Sequence, residues 1–505
     1  MSAIRIAAAN VLVEGAFVPA ELEIDGGRIA AVRRLGAAPL PGTTAAPADV
    51  VVPASTLVLP GNVDTHVHIN EPGRTQWEGF ASATTAAALG GTTTVVDMPL
   101  NSIPPTTTVE NLHAKRDAAA GKLRVDTGFW GGIVPGNTAS LRPLWEAGVF
   151  GFKCFLLDSG VPEFPPVDPA QLREAMREVA SFGGLVIVHA EDARTIAAAP
   201  ARASAAYTDF VLSRPDAAEL AAIAGLIDAV RETGCRTHIL HLSSARALET
   251  ISAAKAEGLP LTVETCPHYL CFDAEAIPDG APEFKCCPPI RDAGNRDALW
   301  QGLREGLIDC IVSDHSPSTA AEKYRGAPDL QQAWGGISGL QVGFAAVAHQ
   351  ARTRGIGLEA VSRWMSAAPA ALAGLGAKGA IEAGRDADLV FYDPTLPHTV
   401  SADALAHRNP LSAYHGMEIT GAVTGTMLRG RMLFGPDGGA PSAAGGDAGT
   451  KAGLAVTGGF LAGPGAVRAG GPGWALPRGA ASASAGLASA GAGPGAGTAA
   501  GEGGA

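Results

Sequence analysis

Short apolar runs with period-two alternation open the chain. IRIAAANVLV (4–13), FVPAELEI (17–24) and RIAAVRRL (28–35) read as strands, with Asp25-Gly26-Gly27 as a tight hairpin turn before the third. From Leu57 to about Gly376 the pattern changes, and apolar runs of strand length alternate with Ala-rich amphipathic stretches such as PAQLREAMREVASFG and SARALETISAAKAEG. The predicted strands are 57–59, 91–98, 127–133, 151–156, 185–189, 237–242, 261–265 and 309–313. Strand and helix alternating about eight times predict an α/β fold, a (β/α)8 TIM-like barrel. IEAGRDADLVFYDP and MEITGAVTGTMLRGRMLF then return to strand character, and are expected to complete the first β-domain as one small β-sandwich built from both ends. The expected organisation is 1–56 and 377–435 for the sandwich, 57–376 for the barrel and 436–505 for a disordered low-complexity tail.

Composition changes this picture in a few places. A hydrophobic share of 47% with 17% charged residues fits a globular protein, and much of the high count of 65 glycines falls in the tail. The net charge of -12 gives no basic footprint for nucleic acid or anionic lipid, so small substrates remain. Seven scattered cysteines, with no basic-then-apolar leader before them, do not form a disulfide framework and lead us to expect a cytoplasmic protein. No membrane helix is expected either: the nearest apolar window, 452–467, is broken by Gly and Pro.

Chemistry in a barrel comes from the C-terminal ends of its strands. His66 and His68 close the first strand with Val67 between them, and strand alternation points both imidazoles the same way. Lys153 lies in GFKCF, His189 ends LVIVHAED, His241 ends THILHLSS and Asp314 follows DCIVSDHSP. Four histidines, a lysine and an aspartate at successive strand ends point to a metal centre. His238, three residues before His241, is expected on the opposite face of its strand, toward the helices.

HVHINEPGRTQWEGF, GFKCFLLDSGVPEFP, VHAED, SDHSP and AWGGISGLQ stand in the order found in the amidohydrolase superfamily. From the first barrel strand to about Arg431 the chain resembles its cyclic-amidohydrolase branch, which includes dihydroorotases, hydantoinases and allantoinases, and matches the last segment by segment. The resemblance implies two Zn2+ per subunit, bridged by an N6-carboxylated Lys153 and a hydroxide. His66, His68 and Asp314 would hold one ion, His189 and His241 the other. Charge makes the carbamate sensible: two divalent ions bring +4, Asp314 and hydroxide remove two, and the carbamate lowers the remainder to +1, where an ammonium would raise it. The implied reaction is hydrolysis of a cyclic amide, with Asp314 as base and then acid.

Dihydroorotases carry an arginine for the substrate carboxylate where this chain has Asn70, and hydantoinases a tyrosine where it has Asp158. Both departures favour a small neutral ureide such as allantoin. Asn70, Asn101 and His315 are the candidate substrate contacts. By the same resemblance a homo-oligomer, a tetramer, is expected. Two other readings stay open: a hydantoinase or dihydropyrimidinase, and a non-catalytic assembly protein that keeps the barrel.

Overall fold

The structure, a computed structural model, describes residues 3–35, 48–435 and 454–466. Its two chain ends meet through strand pairing. Strands Ile4–Val13, Ala16–Asp25 and Arg28–Arg34 form an antiparallel meander, Val50–Val51 pairs with the first of them, and Leu57–Pro60 joins it to Leu389–Thr399, Glu418–Leu428 and Arg431–Phe434 in one eight-stranded sheet. Asp25 pairs with Arg28 across Gly26 and Gly27, whose φ values of 57° and 83° are those a two-residue hairpin turn demands. Ile6, Val11, Leu22, Ile24, Leu389 and Phe391 fill the core of this region.

The sheet hands the chain to a barrel. Asn62–Val67, Thr92–Asp97 and Asp126–Phe129 run parallel, as do Gly131–Gly132, Phe152–Phe155, Leu185–His189, Arg236–Ile239, Leu261–Thr265 and Cys310–Ile311. Asp126–Phe129 and Gly131–Gly132 are two pieces of one strand interrupted at Trp130. A parallel bridge between Val67 and His315, with the His68 amide donating to the His315 carbonyl at 2.8 Å, closes the ring. The outer helices follow from local sequence. Pro169–Ser181, for instance, starts at a capping box of Asp168 and Gln171 and buries Leu172, Ala175, Met176 and Val179, the i, i+3, i+4, i+7 stripe of one helix face.

The expectation of disorder after residue 436 does not hold for residues 454–466. This segment lies along the start of the Asp126–Phe129 strand, at the barrel end opposite the C-terminal strand ends. Thr127 donates to the Gly459 carbonyl and Leu461 to the Thr127 carbonyl, both at 2.9 Å, and Gly463 donates to Gly148 at 2.8 Å. The glycines are what allow the approach: a Cβ on Gly458 would stand 1.9 Å from the Val125 carbonyl oxygen, and one on Gly463 2.0 Å from that of Val149. A composition that reads as disorder serves close backbone packing here. The rest of the expected tail, 436–453 and 467–505, lies outside the described residues.

Candidate metal centre

At the C-terminal end of the barrel the strand-end residues converge. His66, inside the Asn62–Val67 strand, places Nε2 at 3.1 Å from Asp314 Oδ1, and His68 Nε2 lies 3.7 Å from the same oxygen. Lys153, within Phe152–Phe155, brings Nζ to 3.4 Å from His66 Nε2. The His241 ring lies 5.4 Å from that of His66 and 4.5 Å from that of His189, which stacks at 4.7 Å on Phe155. His68, Asn101, Lys153, His189, His241 and Asp314 all line one cavity of about 240 Å3, with His66 buried beneath them. Asp158, Arg214 and Lys285 line the same cavity.

Backbone geometry explains how His241 joins this group. It stands beyond the end of the Arg236–Ile239 strand with φ of 34°, and Asp314 has φ of 42°. Both sit in the left-handed region that non-glycine residues rarely adopt, a conformation typical of residues held for function. The alternation that would separate His238 from His241 therefore ends before His241. His238 is also buried, with Nε2 2.9 Å from Glu264 Oε2 and Nδ1 2.8 Å from the Thr262 hydroxyl. It does not pack toward the helices.

Burial sets the protonation of the donors. It drives His66, His68 and His241 well below the ordinary imidazole range, with the Lys153 charge adding to the effect at His66 and His68. Neutral imidazoles are what a cation requires. Burial also lowers the Lys153 ammonium to about 8 against the pull of Asp314, and raises the Asp314 carboxyl to about 7 against the pull of Lys153. His66, His68 and Asp314 offer three ligand atoms within 4.8 Å of one another. The buried Nδ1 of His241 has no protein partner. Ligand atoms brought this close, with Lys153 the one lysine beside them among the described residues, fit a divalent cation.

Several supporting groups escaped the sequence reading. Glu264 Oε1 lies 2.6 Å from His66 Nδ1 and accepts from the His241 amide at 3.1 Å. Glu191 lies 2.7 Å from His189 Nε2 and takes Arg214 in a fork at 3.0 and 2.6 Å. Asp97, paired with Lys115 at 2.6 Å, accepts the Ile69 amide and so pins the loop after His68. A carboxylate inside an apolar strand, as in LTVET, was the available signal for Glu264.

The three candidate substrate contacts separate. Asn101 lines the cavity, its Nδ2 3.4 Å from His68 Nδ1. Asn70 and His315 are not among the lining residues. Asn70 donates to the Pro317 carbonyl at 3.3 Å, while the His315 ring packs on His407 at 4.7 Å, reaches Glu78 at 3.3 Å and accepts the Gly339 amide at 3.3 Å.

Residues 57–433 match the model of the amidohydrolase family. An allantoinase of Streptomyces avermitilis is 57% identical over 400 residues, covering 78% of this chain and 89% of that protein. One of Saccharomyces cerevisiae is 47% identical over 383 residues, 75% of this chain and 82% of that protein. Among solved structures, an L-hydantoinase (dihydropyrimidinase) from Arthrobacter aurescens superposes with a TM-score of 0.81 at 28% identity, over 91% of this chain and 99% of that one.

Proposed function

The chain belongs to the amidohydrolase family, and we propose that within it the chain is an allantoinase, opening the hydantoin ring of allantoin to give allantoate. The observation that carries this reading is the 57% identity to the Streptomyces avermitilis allantoinase over most of both chains. The buried histidines and aspartate supply the chemistry such a reaction needs.

His66, His68 and Asp314 would hold one Zn2+ and His189 and His241 a second, with Lys153, as its N6-carbamate, as the remaining protein ligand. A lysine held at about 8 by burial has an appreciable neutral fraction at physiological pH, and only the neutral amine adds CO2. When bound, the two cations supply an ionised water near neutral pH and draw electron density from the carbonyl under attack. The chain's own residues do the rest. Asp314 takes the proton of the attacking water and passes it to the ring nitrogen as the C–N bond breaks, so that no amide anion has to leave. Ser316 donates to Asp314 Oδ1 at 2.9 Å and orients that carboxylate. Arg214, tied to Glu191, keeps the His189 ring in place.

A hydantoinase or dihydropyrimidinase is the second reading, favoured by the solved structures that superpose on this fold. Comparing turnover of allantoin, hydantoin and dihydrouracil decides between them: we expect allantoin to be the preferred substrate, and dihydrouracil turnover without allantoin turnover would reverse the assignment. We further propose a homotetramer, tested by light scattering on the purified chain. A cytoplasmic setting is supported by seven cysteines that form no disulfide.

A further inference from the structure

We propose that Glu264 is a positioning residue of the cation centre: it holds His66 in the tautomer that leaves Nε2 bare and places a negative charge beneath the centre. Three nitrogens converge on this one buried side chain. His66 Nδ1 lies 2.6 Å from Oε1, the His241 amide 3.1 Å from the same oxygen and His238 Nε2 2.9 Å from Oε2. Below them the Thr262 hydroxyl stands 2.8 Å from His238 Nδ1.

The His241 amide can only donate, so Glu264 Oε1 is an acceptor. In the proposed arrangement the Thr262 hydroxyl donates to His238 Nδ1 and the ring proton of His238 sits on Nε2, facing Oε2. In the same arrangement Glu264 is a carboxylate accepting at both oxygens, and the proton between it and His66 sits on Nδ1. The Nε2 of His66 is then a lone pair, aimed at Asp314 Oδ1 and Lys153 Nζ, where the cation assignment requires a donor atom. Electrostatics point the same way. With the carbamate the centre would carry +1, and one further carboxylate within a hydrogen bond of a ligand brings the buried assembly to neutrality. His241 is held through its backbone amide, which accounts for a left-handed residue at that position.

This inference rests on the reading of the centre as a site for divalent cations. It is tested on the full chain, stripped with a chelator and titrated with Co2+ in bicarbonate buffer, following the visible absorption of the bound ion. Glu264→Gln keeps the size and acceptor oxygen but removes the charge, and we expect about 10–100-fold weaker Co2+ binding with the folded fraction unchanged. Glu264→Asp restores the charge one methylene short of His66 and is expected to recover only part of the affinity. If Glu264→Gln does not accumulate as folded protein, Glu264→Asp alone decides, with at least about tenfold weaker binding expected. Wild-type affinity in whichever variant is folded overturns the role given to Glu264. A wild-type chain that binds no Co2+ overturns the cation centre itself together with this inference.

Discussion

Two buried clusters of charged groups sit at opposite ends of the barrel, and they differ in what fills their middle. At the base, Asp126, Asp386 and Asp388 surround the Lys378 ammonium at 2.7, 2.9 and 2.7 Å, and Arg429 adds a second cation at 2.6 Å from Asp126. Each carboxylate there has a protein cation. At the mouth, His66, His68 and Asp314 bring ligand atoms just as close together, yet the one ammonium in reach, Lys153, is itself lowered by burial. A polar cluster that the chain satisfies by itself holds the fold together. One that leaves lone pairs facing each other is made for something the chain does not supply.

Substitutions should separate the two. The largest effect is expected from Asp314→Asn, which keeps the shape but removes the proton carrier: turnover of allantoin falls by about 10²–10⁴-fold while the melting temperature stays close to wild type. Retained turnover would remove Asp314 from the proton path. At the base, Lys378→Met leaves the buried Asp126 and Asp388 and the half-buried Asp386 with only Arg429 and, at 3.8 Å from Asp386, Arg28, and we expect a loss of about 3–5 kcal/mol in unfolding free energy, with turnover per folded molecule little changed. A Lys378 variant as stable as wild type but inactive would invert the comparison.

The Glu191–Arg214 pair tests the same contrast by pH, since it stands at the mouth but is satisfied like the base. Burial alone would raise the Glu191 carboxyl, but Arg214 and His189 hold it down to about 2. Its folded value lies below its unfolded one of 4.5, so the stability it contributes is present above that value and is lost as pH falls toward 2. Melting temperature measured from pH 6 downward should therefore drop through this window, and Arg214→Gln, which removes the main group holding Glu191 down, should start from a lower melting temperature and lose less of it as pH falls. The smallest effect is expected from ending the chain at Gly453. Removing the segment that pairs with Thr127 and Gly148 costs about 1–2 kcal/mol, a few backbone hydrogen bonds less the entropy of ordering it, and leaves turnover within about twofold.

The sequence disclosed which side chains meet at the mouth better than it disclosed what holds them there. His66, His68, Lys153, His189, His241 and Asp314 were legible because a barrel brings its strand ends to one place, so position along each strand was enough. Glu264 and Glu191 were not, because their meaning depends on which side chains other strands and loops set beside them. The spacing of His238 and His241 misled for a local reason: period two holds only while the backbone stays extended, and His241 lies past that point at φ of 34°. His315 stood next to a ligand in sequence, but its ring packs on His407 and reaches Glu78. In 454–466, glycine content signalled flexibility when it was serving close approach to Val125 and Val149.

The central claim is that the mouth of the barrel is a two-cation site that opens allantoin. Allantoate formation by the metal-stripped chain, followed as Zn2+ is added back in bicarbonate buffer, tests it most directly. We expect no turnover before addition and a rise that levels off at two equivalents per chain. Full turnover by the stripped chain, or two bound equivalents with no allantoate formed, would contradict it.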